Sequence, residues 1–115
     1  MNKVGGTTRD PIPPGTLDLL ILQTLATQGQ LHGFEIANEI LQRSENVLRV
    51  EEGSLYPALQ RLLLQGWARA EWGKTADNRR ARYYQLTPAG RRQLEKELEQ
   101  YHRVSAAIGR ILQPA

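Results

Sequence analysis

Arg79, Arg80, Arg82, Arg91 and Arg92 lie between Asn78 and Leu94 with no acidic residue among them. A guanidinium is permanently charged and offers a fork of N–H donors, so a cluster of this kind suits phosphate groups. A second set stands just upstream, in Glu52-Gly-Ser-Leu-Tyr-Pro-Ala-Leu-Gln-Arg-Leu62, where Ser54, Tyr56, Gln60 and Arg61 are the polar members. Arginine pairs with guanine and glutamine with adenine, while serine and tyrosine hydroxyls suit phosphates. The pattern is that of a surface that contacts double-stranded DNA. Catalysis finds no such support. The two histidines, His32 and His102, have no second metal ligand at a recognised spacing, and there is no Gly-rich phosphate loop and no Ser, His and acid grouping. With no cysteine there is no thiolate nucleophile, disulfide or zinc–thiolate site. Glu51 and Glu52 favour a helix N-terminus better than they make an acid/base pair. The expectation is of no enzyme, with no catalytic residue, no metal and no cofactor.

The charge map agrees with this reading. The net charge of +3 is small, but residues 1–52 hold four Lys/Arg against seven Asp/Glu, residues 53–94 eight against two, and residues 95–115 three against three. Positive charge is therefore concentrated in the middle of the chain, although a solvated basic loop would give the same local count. At 115 residues the chain fits one small domain, for which oligomerisation would be an advantage. Its longest apolar run, Leu17 to Leu25, is too short and too interrupted to span a bilayer. Absence of cysteine and of a signal-like segment points to the cytoplasm and to no membrane partner.

The elements that must position these residues follow from the apolar spacing. Residues 1–15 are rich in Gly, Pro and Thr and read as a flexible arm. Thr16 is placed to cap a first helix over Leu17–Thr27 that Gly29 ends, and its apolar residues run almost all the way round, so it needs cover on more than one side. A second helix follows over Gly33–Gln42, with His32 as a candidate cap, Phe34, Ile36, Ala37, Ile40 and Leu41 inward, and Glu35, Asn38, Glu39 and Gln42 outward. Pro57 is comfortable only in a first helical turn, which puts the start of the third helix near Gly53 or Ser54. Leu55, Ala58, Leu59, Leu62 and Leu63 share its inner face, and Gly66 closes it. Trp67–Trp72 and Ala81–Leu86 are β-prone, and the polar stretch Gly73–Arg80 between them makes a two-stranded hairpin with a basic tip. Trp67 is expected to fill the core between helix and hairpin, whereas Trp72 can take either face and is the candidate to stack a flat ligand.

Thr87 and Pro88 are a cap and a first-turn proline, opening a helix that reaches Leu112. Leu94, Leu98, Tyr101, Ser105, Ile108 and Leu112 are spaced 4, 3, 4, 3, 4, a heptad seam with one polar member. A rod of this length, nearly 40 Å at about 1.5 Å per residue, exceeds what so small a domain covers, so a second copy is expected on it. The fold class is mainly α with a small β-hairpin: a winged helix-turn-helix over residues 16–87 and a dimerisation helix over residues 88–112.

Four of these segments also carry a family resemblance. Gly15-Thr-Leu-Asp-Leu-Leu-Ile-Leu, Leu31-His-Gly-Phe-Glu-Ile-Ala, the Glu52–Leu62 run and Arg82-Tyr-Tyr-Gln-Leu-Thr-Pro-Ala-Gly90 occur in an order and spacing that resembles the PadR family of bacterial transcriptional regulators. The resemblance is to its compact branch, with a single C-terminal helix. It implies a homodimeric repressor on an inverted-repeat operator, with the third helix in the major groove and the hairpin, or wing, on the adjacent backbone. Some compact members bind flat aromatic or cationic ligands between subunits, so an effector of unknown identity is the alternative, and a winged-helix protein-interaction module is another.

Overall fold

An apolar helix without a polar face must be surrounded, and the first helix, α1 (Leu17–Gln28), forms the central post of the molecule. The computed structural model describes residues 12–114; the arm expected over residues 1–15 lies mostly outside the described residues. Ile21, Leu22 and Leu25 of α1 are fully buried, and the chain's own later elements pack around them. The Thr24 hydroxyl, buried on this post, donates to the Leu20 carbonyl at 2.7 Å, which answers its desolvation. Gly29 ends the helix at φ 86°, its N–H bonded to Leu25 O. Thr16 does not cap it with its side chain. Its backbone is already helical (φ −103°, ψ −24°), and a capping hydroxyl needs an extended backbone to reach the first free N–H groups.

β1 (Leu31–His32) leads directly into α2 (Gly33–Arg43). His32 caps α2 through a reciprocal box: its Nδ1 accepts from Glu35 N at 3.3 Å, and Glu35 Oε1 accepts from His32 N at 3.0 Å. Ile36 and Ile40 enter the core and Ala37 and Leu41 are half-buried. Phe34, expected inward, is instead 73% exposed. It stands on the first turn, at the rim of a groove between α2 and the third helix that Ala37, Leu41 and Val50 line below it. Gly33 beside it is buried with Ile36 and Ile40, so Phe34 lies with Ala37 and Leu41 at the edge of the apolar stripe and not at its centre.

The third helix, α3 (Glu52–Leu64), begins a residue or two earlier than the proline suggests, so Pro57 sits in its second turn. The helix still forms because Leu55, Ala58, Leu59 and Leu62 are buried on one face, each large side chain contributing about 1.5–3 kcal/mol against the loss of one hydrogen bond. Leu63 is only half-buried. Gly66, at φ 76°, turns the chain out of the helix.

β2 (Ala68–Lys74) and β3 (Arg80–Leu86) pair antiparallel, and β1 adds to the free edge of β3, giving the order β1-β3-β2. The expected two-stranded hairpin is therefore a three-stranded sheet. A two-residue strand has too little pattern to be visible in sequence, and it is pairing of Leu31 with Tyr84 and His32 with Tyr83 that defines it. The hairpin is also longer than expected, since its connection shrinks to Thr75–Arg79 with Asn78 at φ 67°.

α4 (Pro88–Leu112) has the predicted bounds, with Thr87 Oγ1 accepting from Gly90 N at 3.0 Å. The same hydroxyl donates to Gly66 O at 2.6 Å, tying the start of α4 to the end of α3. Gly90 is pressed against this junction: a Cβ there would lie 1.9 Å from Trp67 O. Trp67 is half-buried against the core, as expected.

Candidate nucleic-acid interface

The inner face of α3 is held by the core, so its outer face is presented to solvent as a rigid polar strip. Ser54, Gln60 and Arg61 are exposed on it, and Tyr56 is 48% exposed. Tyr56 lies across the start of α2: a Cβ on Gly33 would meet its hydroxyl at 2.8 Å, so the glycine makes room for the ring. Arg61 is not free. Asp18 of α1 grips its guanidinium by two contacts, Nη2–Oδ1 at 2.7 Å and Nε–Oδ2 at 3.2 Å, and the carboxylate holds its pKa above the ordinary value, first by hydrogen bonding and then by charge. Sequence spacing could not show this pair, because Asp18 is 43 residues away. Leu64, on the same outer side, is 80% exposed.

The wing presents charge differently. Its turn is built by Thr75, whose hydroxyl bonds Asp77 and accepts from Arg79 N, and Arg79 pairs weakly with Asp77 at 3.5 Å. In the strands, Trp72 stands opposite Arg82 and Lys74 opposite Arg80. Directly opposed residues share a face, so Trp72, Lys74, Arg80 and Arg82 lie together. Among the described residues no carboxylate approaches Arg80 or Arg82 within salt-bridge distance. Glu71 is on the other face, beside Gln30. At the base of the charged face Tyr84 is buried, and burial pushes its phenol pKa up, with the Arg82 charge partly offsetting the rise.

Helix and wing meet in a shallow basin of about 530 Å³. Tyr56 of α3 and His32 and Phe34 at the start of α2 form one wall, and Trp72, Arg79, Arg80 and Arg82 form the other. Seven residues anticipated from sequence are thus divided: Tyr56 and the three wing arginines converge on the basin, whereas Ser54, Gln60 and Arg61 line the helix beyond it. Phe34 and Lys74 were not anticipated; alternation from Trp72 along the strand is the signal that finds Lys74. Arg91 and Arg92 are exposed on the first turn of α4, beside Glu95, outside this basin.

A separate surface runs along α4. Leu94 is buried by the chain's own core and Leu98 is half-buried on it. From Tyr101 onward the apolar residues are bare, with Tyr101, Val104 and Ile108 each about half exposed, Ile111 81% and Leu112 75%, and Ser105 exposed beside them. Val104 and Ile111 each stand one position before Ser105 and Leu112 and widen the bare apolar strip. A groove of about 540 Å³ lies between α1 and α4, with Asp18, Trp67, Glu97 and Tyr101 among its walls. No helix among the described residues is long and apolar enough to cross a membrane, and no group of three His, Asp or Glu among them could hold a metal.

Comparison with known proteins gives this geometry a context. An uncharacterised protein of Lysinibacillus sphaericus is 30% identical over 100 residues, covering 87% of this chain and 91% of the relative. A transcriptional regulator from Clostridium thermocellum superposes with a TM-score of 0.78 at 26% identity, over 86% of this chain and 95% of that one. Bacillus subtilis PadR, solved in complex with operator DNA, shares the fold with a TM-score of 0.64 at 23% identity, over 75% of this chain and 48% of that one. The family model of the PadR-like transcriptional regulators matches residues 21–96, from within α1 to the first turns of α4, and the chain belongs to that family, one of transcriptional regulators and not of enzymes.

Proposed function

We propose that this protein is a sequence-specific DNA-binding repressor that acts as a homodimer on an inverted repeat. The observation that carries the reading is the basin in which Tyr56 of α3 and Arg79, Arg80 and Arg82 of the wing converge. A backbone phosphate crossing it meets a hydroxyl on one side and guanidinium groups on the other. With the phosphate held there, α3 lies in the adjoining major groove, where Gln60 faces base edges and Ser54 faces a phosphate. Arg61 joins them only by exchanging Asp18 for DNA, so its contribution is the smaller one.

The dimer rests on the bare half of α4. Tyr101, Val104, Ser105, Ile108, Ile111 and Leu112 pair with the same residues of a second copy, continuing the Leu94 and Leu98 line that the core covers. Two α3 helices then stand about 34 Å apart, one turn of DNA. Repression is what the family resemblance supports.

Binding to a pool of random duplexes across a salt series, with wild type and an Arg79/Arg80/Arg82 alanine triple variant, tests the DNA reading. Wild type should enrich an inverted repeat, and the triple variant should show a shallower dependence of affinity on salt. No enriched site, with matching slopes, refutes it. For the dimer, Ile108→Glu should sediment as a monomer at micromolar concentration while keeping its helical signal; an unchanged dimer would move the interface off α4.

A second reading is favoured by the groove between α1 and α4. Trp67 and Tyr101 offer aromatic faces there and Glu97 offers negative charge, while Asp18 in the same lining is already paired with Arg61, at the place where a partner helix would close it. A flat, cationic effector of unknown identity fits that lining. Trp72, singled out from sequence for ligand stacking, stands on the wing, with its ring under Arg80. Quenching of Trp67 fluorescence by such a compound, together with loss of DNA affinity, is the result this reading requires.

A further inference from the structure

The wing carries an arrangement that sheet geometry alone makes costly. Lys74 and Arg80 are directly opposed, Arg82 is next along the same face, and like charges in such positions repel. Among the described residues nothing acidic on that face relieves them, since Glu71 points to the opposite side and pairs with Gln30. Trp72 stands among them, 58% exposed, although an indole is among the side chains with most to gain from burial. Its ring lies 4.2 Å from the Arg80 guanidinium carbon and 6.0 Å from that of Arg82. An indole face is the best aromatic partner for a cation.

We infer that Trp72 is a positioning residue for DNA binding: its ring holds the Arg80 guanidinium, and more loosely that of Arg82, in the orientation that meets the phosphate backbone. The inference rests on the DNA reading above. An arginine loses rotamer freedom when it is fixed on a phosphate, and a residue that fixes it beforehand removes part of that cost. The indole does so without neutralising the charge, as a carboxylate would. Arg61 on α3 is the contrasting case, ordered by Asp18 but with its fork occupied.

The test is a double-mutant cycle on a duplex enriched by the wild type. Trp72→Leu should weaken binding by about 3- to 10-fold, the range expected for loss of one cation–π contact and one pre-ordered side chain. Trp72→Phe, which keeps an aromatic face, should recover most of that loss. The salt slope of Trp72→Leu should match wild type, because the charges remain, while Arg80→Ala should lower it by about one. In an Arg80→Ala/Arg82→Ala background the Trp72→Leu effect should vanish. Full affinity in Trp72→Leu, or the same loss with both arginines absent, overturns the inference while leaving DNA binding intact. A wild type that enriches no duplex removes the DNA reading and this inference together. Should Trp72→Leu fold poorly, the same cycle with Trp72→Thr, and the tryptophan emission of Arg80→Ala against wild type, decide the same question. Unchanged emission in Arg80→Ala counts against the stack.

Discussion

The third helix and the wing face the same basin, yet they treat positive charge in opposite ways. On α3 the one arginine, Arg61, is claimed by Asp18, Glu52 in the first turn is acidic, and the remaining polar outward groups, Ser54, Tyr56 and Gln60, are neutral, so the helix offers no free positive charge. On the wing, Arg80 and Arg82 have no carboxylate within salt-bridge distance among the described residues, and their ordering comes from an aromatic ring. The two regions also differ in their anchorage. Four residues of α3 are buried, while the outer half of the wing is exposed. A surface without free positive charge on a rigid helix is suited to discriminating bases, and a charged surface on a light support is suited to affinity. The division of labour follows from where the countercharges lie.

Substitutions that exchange these properties test the division. The largest effect should come from α3's seat: Leu59→Ala leaves a cavity in the core and should cost about 3 kcal/mol in denaturant unfolding, whereas Trp72→Leu should cost less than about 1 kcal/mol in the same assay. Equal costs would mean that the wing is as tightly tied to the core as the helix. Next, Arg80→Ala with Arg82→Ala should lower the salt slope of DNA binding by about two while leaving the preferred sequence unchanged. Gln60→Ala should do the reverse, losing about 1–3 kcal/mol of discrimination at one base position with the salt slope preserved. A change of sequence preference in the wing variant, or of salt slope in Gln60→Ala, would reverse the assignment of roles.

The smallest effect should be that of Arg61→Ala. Its partner pair is more than half exposed on the arginine side, so its loss should cost only about 0.2–1 kcal/mol of stability. Its salt slope should stay nearer to wild type than that of Arg80→Ala. Asp18→Asn sharpens the point in the other direction: with the carboxylate gone, Arg61 becomes available, and affinity at low salt should rise. If Asp18→Asn weakens binding, the pair acts by holding α3 in place.

Much of the architecture could be read from spacing. The bounds of α4, the inner face of α3, the His32 cap and the basic hairpin all arise from local signals: a proline with a preceding threonine, a 3.6-residue period, and turn residues between β-prone runs. Local signals also misled in defined ways. Pro57 marked a first turn but lies in the second, because burial of four apolar side chains outweighs one missing hydrogen bond. Phe34 has the apolar character of a core residue but stands exposed at the edge of the apolar stripe of α2. The strand β1 is defined by its partner and has no pattern of its own.

Residue types and their order along the chain were enough to establish the helices, the wing, the family and the concentration of positive charge. Which of those charges is available was a matter of folding. Asp18 reaches Arg61, and Trp72 reaches Arg80, through packing of α1 against α3 and register of β2 against β3. Hydrogen-bonded ion pairs and cation–π stacks need contact within a few ångströms, and contacts of that kind between residues distant in sequence exist only once the chain is folded. The same holds for hydrophobic cover. Sequence showed that both α1 and the seam of α4 need apolar cover, but only the fold shows that the chain's own elements surround the first and leave Tyr101, Ile108 and Ile111 bare.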